Sequence, residues 1–184
     1  MGAGIDPAAS PITLSRMSTQ VPEVIVTHIS KKTRIAVAAA RFNADIVDEL
    51  LAGCLRRLAE LGVAPERVEV VRVPGAFELP VTAKAFARTG RFAAVICLGA
   101  VVRGDTPHFE YVAGEAARGL QDVAIWENLP VIFGVLTTNT HEQAMDRTGG
   151  KHGHAGERSA EVAVEMIGVL ETIANGKKAK GKSK

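Results

Sequence analysis

The chain predicts an α/β fold, a parallel sheet covered by helices on both faces, and three observations carry that prediction. The apolar run Ala93-Ala94-Val95-Ile96-Cys97-Leu98-Gly99-Ala100-Val101-Val102 is continuous rather than alternating, the pattern of a strand buried on both faces. Such runs alternate with stretches of helical periodicity, which implies right-handed crossovers between parallel strands. Each run then stops in a polar or Gly/Pro turn, and ligands of open α/β sheets bind beyond the carboxyl ends of the strands.

Taken in order, residues 1–30 are rich in Pro, Ser, Thr and Gly and form an expected flexible extension, with one β-prone piece at Val24-Ile25-Val26-Thr27. Residues 31–175 carry the domain, and residues 176–184 an expected disordered Lys-rich tail. Within the domain, Arg34 to Ala40 is the first expected strand, and Ala44 to Leu61 an amphipathic helix closed by Gly62. A strand over Val68 to Val73 leads through Pro74-Gly75 to a helix from about Leu79 to Arg88. The strand at 93–102 is followed by a helix from about Phe109 to Glu127, and Pro130 to Thr137 is the fourth strand. A short helix around Glu142 to Arg147, the Gly-rich turn Gly149-Gly150-Lys151-His152-Gly153 and a helix from about Glu157 to Ile173 complete the domain.

Composition removes several function classes. The 184 residues suffice for one well-buried core, and aromatics make up only 4%, so Ala, Val and Leu must fill it. The formal charge of +2 is misleading, because Lys177, Lys178, Lys180, Lys182 and Lys184 crowd the C-terminus; without them 17 basic residues face 20 acidic ones. No basic stripe with interleaved aromatics is left, so neither nucleic acid nor a membrane is an expected partner. No apolar segment approaches the roughly 20 residues that span a bilayer, and residues 1–30 lack a signal-peptide apolar region. Cys54 and Cys97 lie in an apolar helix and strand without disulfide spacing, which fits a reducing, cytoplasmic setting.

The four strand ends share one rim, and the candidate chemistry sits there. Phe42, between Arg41 and Asn43, is either a stacking platform or a hydrophobic staple; Phe77 occupies a second strand end. Glu78 is either a helix cap or an acceptor for a polyol. Gly104-Asp105-Thr106 opens a helix with free backbone N–H groups and a hydroxyl, the local chemistry of an anion site, with the Asp105 carboxylate expected to point away. Arg147 offers either a bidentate grip on phosphate or an exposed salt bridge. Among five histidines only His108 stands in a strand-end turn, and its chemistry suits proton transfer near neutrality. His152 and His154 lack ligand partners at metal spacing, and no nucleophile elbow, Walker loop, dinucleotide loop or C-x-x-C pair occurs.

Arg41-Phe42-Asn43, Val73 through Pro80, Gly99 through Tyr111, and Phe133 through Thr138 with Glu142, Gln143, Ala144 and Arg147 together resemble the 6,7-dimethyl-8-ribityllumazine synthase family, in order and from about Thr33 to Leu170. The resemblance implies a flavodoxin-like three-layer sandwich with a four-stranded parallel sheet, plus an N-terminal strand added to a neighbouring subunit. It implies a cofactor-independent transferase that condenses 5-amino-6-(D-ribitylamino)uracil with 3,4-dihydroxy-2-butanone 4-phosphate in the penultimate step of riboflavin biosynthesis. A catalytically weak flavin- or lumazine-binding paralogue, serving storage or a shell, is the alternative.

By the same resemblance His108 is the general acid/base. Phe42 stacks on the pyrimidine, Ala76, Phe77 and Glu78 hold the ribityl chain, and Ala100, Val101 and Val102 line the pyrimidine pocket. Asp105, through its backbone, Thr106 and Arg147 bind phosphate. Phe133 and Arg147 come from the adjacent subunit of a homo-oligomer, a pentamer or an icosahedral shell of twelve pentamers, with active sites at subunit interfaces. No metal is implied. Many relatives carry a lysine where this chain has Ala155, within Gly153-His154-Ala155-Gly156, and a tryptophan where it has Phe77.

Overall fold

A computed structural model describes residue 30 and residues 32–181, with side chains through Asn175. The proposed strand at Val24 to Thr27 lies outside the described residues. Four strands form one sheet: β1 (Ile35–Ala40), β2 (Val68–Val73), β3 (Ala94–Val102) and β4 (Val131–Thr138), all parallel, in the order β2-β1-β3-β4. The two strands with continuous apolar runs, β1 and β3, are the central pair, buried over nearly their whole length. β2 and β4 are the edges, and their burial is mixed.

Five helices cover the sheet: α1 (Ala44–Glu60), α2 (Leu79–Arg88), α3 (His108–Glu127), α4 (His141–Met145) and α5 (Ala155–Gly181). α1 pairs with α5 over one face and α2 with α3 over the other. The result is the three-layer arrangement expected from alternating strands and helices. Ala36, Ala38, Ala39 and Ala40 leave β1 with little side-chain volume, so the helices seat close to the sheet. α1 and α5 also come close to each other. A Cβ on Gly156 would stand 2.0 Å from the Leu50 carbonyl oxygen, and one on Gly53 would stand 2.1 Å from the His154 ring.

The glycine-rich turn after α4 is more ordered than its composition suggests. Thr148–Gly150 (β5) and Gly153–His154 (β6) form a small antiparallel hairpin. Gly149 (φ 121°) and Gly153 (φ 75°) supply the left-handed backbone it needs. Asp146 holds its tip, accepting from the Lys151 backbone N at 3.0 Å and pairing with His152 Nδ1. The Ala155 N–H donates to the Arg147 carbonyl at 2.8 Å, so α5 begins two residues earlier than the periodicity indicates. α5 also runs past Ile173 to Gly181, into the segment read as the Lys-rich tail. α4 stops at Met145, short of Arg147, and α3 includes His108 as its first residue.

Chain order reverses between β1 and β3: the chain moves from β1 out to β2, then crosses back to β3 on the other side. That switch point opens a crevice beyond the carboxyl ends of the two central strands. On the α2/α3 face, Trp126 is 68% exposed and carries the Lys84 ammonium 5.5 Å from its ring centre. No helix among the described residues is long and apolar enough to cross a membrane.

Candidate active site

The crevice is a half-open cavity of about 640 Å³ built by three strand-end segments. The first is Arg41-Phe42-Asn43, after β1. Its backbone is tied to the neighbouring strand end, with Arg41 N donating to Val73 O at 2.8 Å and Phe42 N to Pro74 O at 3.0 Å. Asn43 takes the left-handed conformation (φ 56°), which asparagine tolerates better than most residues. Its side chain does not cap α1; Asn43 Nδ2 donates instead to Ala100 O at 2.9 Å, joining the end of β1 to the end of β3. Phe42 is thereby held out over the cavity, 70% exposed, and the staple reading fails.

The second segment, Pro74 to Glu78, closes as a single 3₁₀ turn over Ala76–Glu78. Glu78 Oε2 accepts from the Gly75 N–H at 2.9 Å, which fastens the turn rather than capping α2. Ala76 is buried while Phe77 is 58% exposed, and both line the cavity with Glu78. The third segment descends from Ala100, Val101 and Val102 through Gly104 and Thr106 to His108. His108 is the first residue of α3, so it projects from a helix start whose N–H groups lack intrahelical partners.

Nine of the twelve residues expected at the site therefore share one cavity: Phe42, Ala76, Phe77, Glu78, Ala100, Val101, Val102, Thr106 and His108. Asp105, expected to contribute its backbone, is not among the residues that line it. Phe133 and Arg147 are elsewhere in this chain. Phe133, 44% exposed, borders a second groove of about 640 Å³ between α3, β4 and α5, together with Ala155 and Arg158. Arg147 Nη1 donates back to the preceding helix, α4, at Gln143 O, 2.7 Å.

Sequence reasoning left out Phe109, Tyr111 and Val112, which also line the cavity. Their signal is helical spacing: positions 111 and 112 follow His108 at i+3 and i+4 and so share its face. It also left Asn43 without a role, although an asparagine between a strand and a helix is a common sign of a left-handed residue.

The other three histidines among the described residues are engaged elsewhere. His141 pairs with Asp45, which draws the Asp45 carboxyl below its ordinary value; the His152 pair does the same to Asp146. His154 packs on Gly53 with Nδ1 buried and unpartnered, and that desolvation pushes its pKa down. Burial raises the Cys54 thiol to about 12 and the Cys97 thiol further, so neither is a nucleophile near neutral pH. Among the described residues no group of His, Cys, Asp and Glu is arranged to hold a metal ion.

A parallel sheet whose switch-point crevice carries exposed aromatic rings, a carboxylate and a helix-start histidine defines a small-molecule enzyme of the flavodoxin-like α/β class. A family model for 6,7-dimethyl-8-ribityllumazine synthase matches residues 32–171. The enzyme of that name from Edwardsiella ictaluri is 52% identical over 143 residues, 77% of this chain and 92% of the relative. The one from Protochlamydia amoebophila is 47% identical over 142 residues, 77% of this chain and 83% of the relative. The chain belongs to the 6,7-dimethyl-8-ribityllumazine synthase family, and it is a transferase of riboflavin biosynthesis.

Proposed function

We propose that the rim cavity joins 5-amino-6-(D-ribitylamino)uracil to 3,4-dihydroxy-2-butanone 4-phosphate, with His108 as the proton carrier. The observation that carries this reading is the convergence of Phe42, Phe77, Glu78, Thr106 and His108 on one cavity in a chain of this family. Phe42 offers a face for the pyrimidine ring, a contact that planar stacking favours. Ala76, Phe77 and Glu78 border the space for the polyol, where a carboxylate accepts hydroxyl protons. Ala100, Val101 and Val102 frame the pyrimidine edge.

The substrate's amine is already a nucleophile and the ketone an electrophile. The amine nitrogen forms a bond to the ketone carbon and water leaves, giving an imine. Proton removal beside the imine then expels inorganic phosphate, and attack by the ribityl-bearing nitrogen on the remaining carbonyl, with loss of a second water, closes the ring. Two substrates thus become the lumazine, phosphate and two waters, with no net oxidation. Most of the acceleration comes from holding the two partners in register. His108 moves protons at each stage, and Thr106, the Asp105 backbone and Arg147 take the phosphate.

Phe133 and Arg147 act in the cavity of an adjacent subunit, so the working unit is a homo-oligomer, a pentamer or a shell of twelve pentamers. The exposure of Phe42, Phe77, Tyr111, Val81, Ile125, Trp126 and Phe133 supports this, since monomers rarely show that much apolar surface. So do β2 and β4, the edge strands among the described residues, either of which offers an edge for an added strand such as Val24 to Thr27 of a neighbour. Cys54 and Cys97, both free and buried, support a reducing, cytoplasmic setting. The test is a steady-state assay with both substrates, following lumazine absorbance above the uncatalysed rate. Saturable turnover is expected; tight pyrimidine binding without turnover would overturn the assignment.

A further inference from the structure

We propose that Arg103 is a positioning residue, whose guanidinium holds the turn carrying Gly104, Thr106 and His108 and thereby sets the site for the phosphate-bearing substrate. The inference rests on the condensation proposed above. Arg103 is not itself a lining residue of the cavity, but it precedes Gly104 and touches Phe109, which are. Its backbone N donates to Thr138 O at 2.9 Å, at the end of β4. Its Nε donates to Asn139 Oδ1 at 2.9 Å and its Nη1 to Glu110 Oε1 at 2.8 Å. The guanidinium carbon lies 4.3 Å from the centre of the Phe109 ring.

One side chain thus grips both the loop after β4 and the first turn of α3, whose residues are His108, Phe109 and Glu110. Asn139 is pinned in turn, its backbone N donating to Gln143 Oε1 at 3.0 Å. The turn from Gly104 to Pro107 is therefore supported at its far end by contacts that Arg103 itself makes. As an exposed ion pair, Arg103 with Glu110 contributes little to stability. Its value is geometric: a planar fork stacked on a ring fixes direction, which a lysine ammonium does not. A displacement of about 1 Å at a reacting centre costs on the order of 10²-fold in rate, so such a support matters to substrate more than to folding.

The experiment measures KM for each substrate, kcat, and the affinity for inorganic phosphate by titration, in the assembled wild type and in Arg103→Gln, Arg103→Lys and Asn139→Ala. Arg103→Gln is expected to raise KM for the butanone phosphate about tenfold and weaken phosphate binding equally, with the pyrimidine KM within about twofold. The pyrimidine side hangs on Phe42 and Ala100, which Asn43 secures independently. Arg103→Lys is expected to behave like Arg103→Gln, and Asn139→Ala, which leaves the charge untouched, to raise the same KM about threefold.

Recovery of wild-type KM by Arg103→Lys, or no effect of Asn139→Ala, overturns the proposal in favour of simple charge attraction. An equal rise in both KM values overturns it in favour of general loosening. Should Arg103→Gln fail to fold, Asn139→Ala decides by the same KM split. A wild type without turnover refutes the condensation rather than this inference, and the phosphate titration, which needs no turnover, then decides the role of Arg103.

Discussion

Phe42 and Phe77 show how a side chain's position relative to a strand end determines its use. Phe42 stands two residues past the end of β1 and Phe77 in the 3₁₀ turn after β2, both before the next α-helix begins, and each ring borders the cavity. His108 differs, because its position depends on the start of α3 after Pro107. Replacing His108 with alanine is expected to lower kcat about 10²-fold while leaving measurable turnover, since positioning of the two substrates survives. Replacing Arg147 with alanine is expected to raise KM for the butanone phosphate about tenfold with kcat little changed, read in the same assay. Phe42, Phe77, Thr106 and His108 were legible because polar and aromatic residues at strand ends need no tertiary information to stand out. Tyr111 and Val112 were not, because which face of α3 borders the cavity depends on how the helix docks. Phe133, inside β4, and Arg147, after α4, were expected at the site of a neighbouring subunit by the family resemblance, and within this chain they stand at another groove and against Gln143.

At the scale of elements, the long periodic segments were legible and the short ones were not. The runs over β1 and β3 announce buried strands, and α1 and α2 fall within a residue of the expected bounds. β5 and β6 are too short to carry a period, and their glycines read equally well as loop; the bonds from Asp146 decide the matter. Gly156 hid the start of α5 for a similar reason, since glycine disfavours a helix except where close packing demands it. Gly156→Ala is expected to destabilise the fold by about 3 kcal/mol through its collision with the Leu50 carbonyl, read as a lowered denaturation midpoint. The contact between His154 and Gly53 adds a pH term. Above the ordinary histidine value of 6.5 both the folded and the unfolded chain hold a neutral ring, and His154 contributes no pH dependence. As pH falls below that value the unfolded chain binds the proton first, so stability is lost until the folded-state pKa is passed. A thermal midpoint that falls between pH 7 and 5, and falls less in His154→Asn, is the expected result. Asp45 and Asp146, drawn below 3.8 by their histidines, add a separate loss only at still lower pH.

For the whole molecule, the proposed assembly would make activity a property of paired chains. Read at butanone phosphate concentrations well below KM, co-expressing His108→Ala with Arg147→Ala is expected to restore about a quarter of the wild-type rate, because random mixing leaves about a quarter of shared sites intact at both positions. Mixing the two after separate assembly is expected to give only the sum of their residual rates, and restoration there or failure in co-expression counts against a shared site. The cavity bearing His108 and the groove bearing Phe133 share no lining residue within this chain. The scarcity of aromatics has a spectroscopic consequence. Trp126 is the only tryptophan in the chain, and it stands on the surface of α3 rather than in the cavity. Its emission would therefore report on any neighbouring chain that covers α3, by a shift to shorter wavelength, and stay nearly silent when substrates enter the cavity.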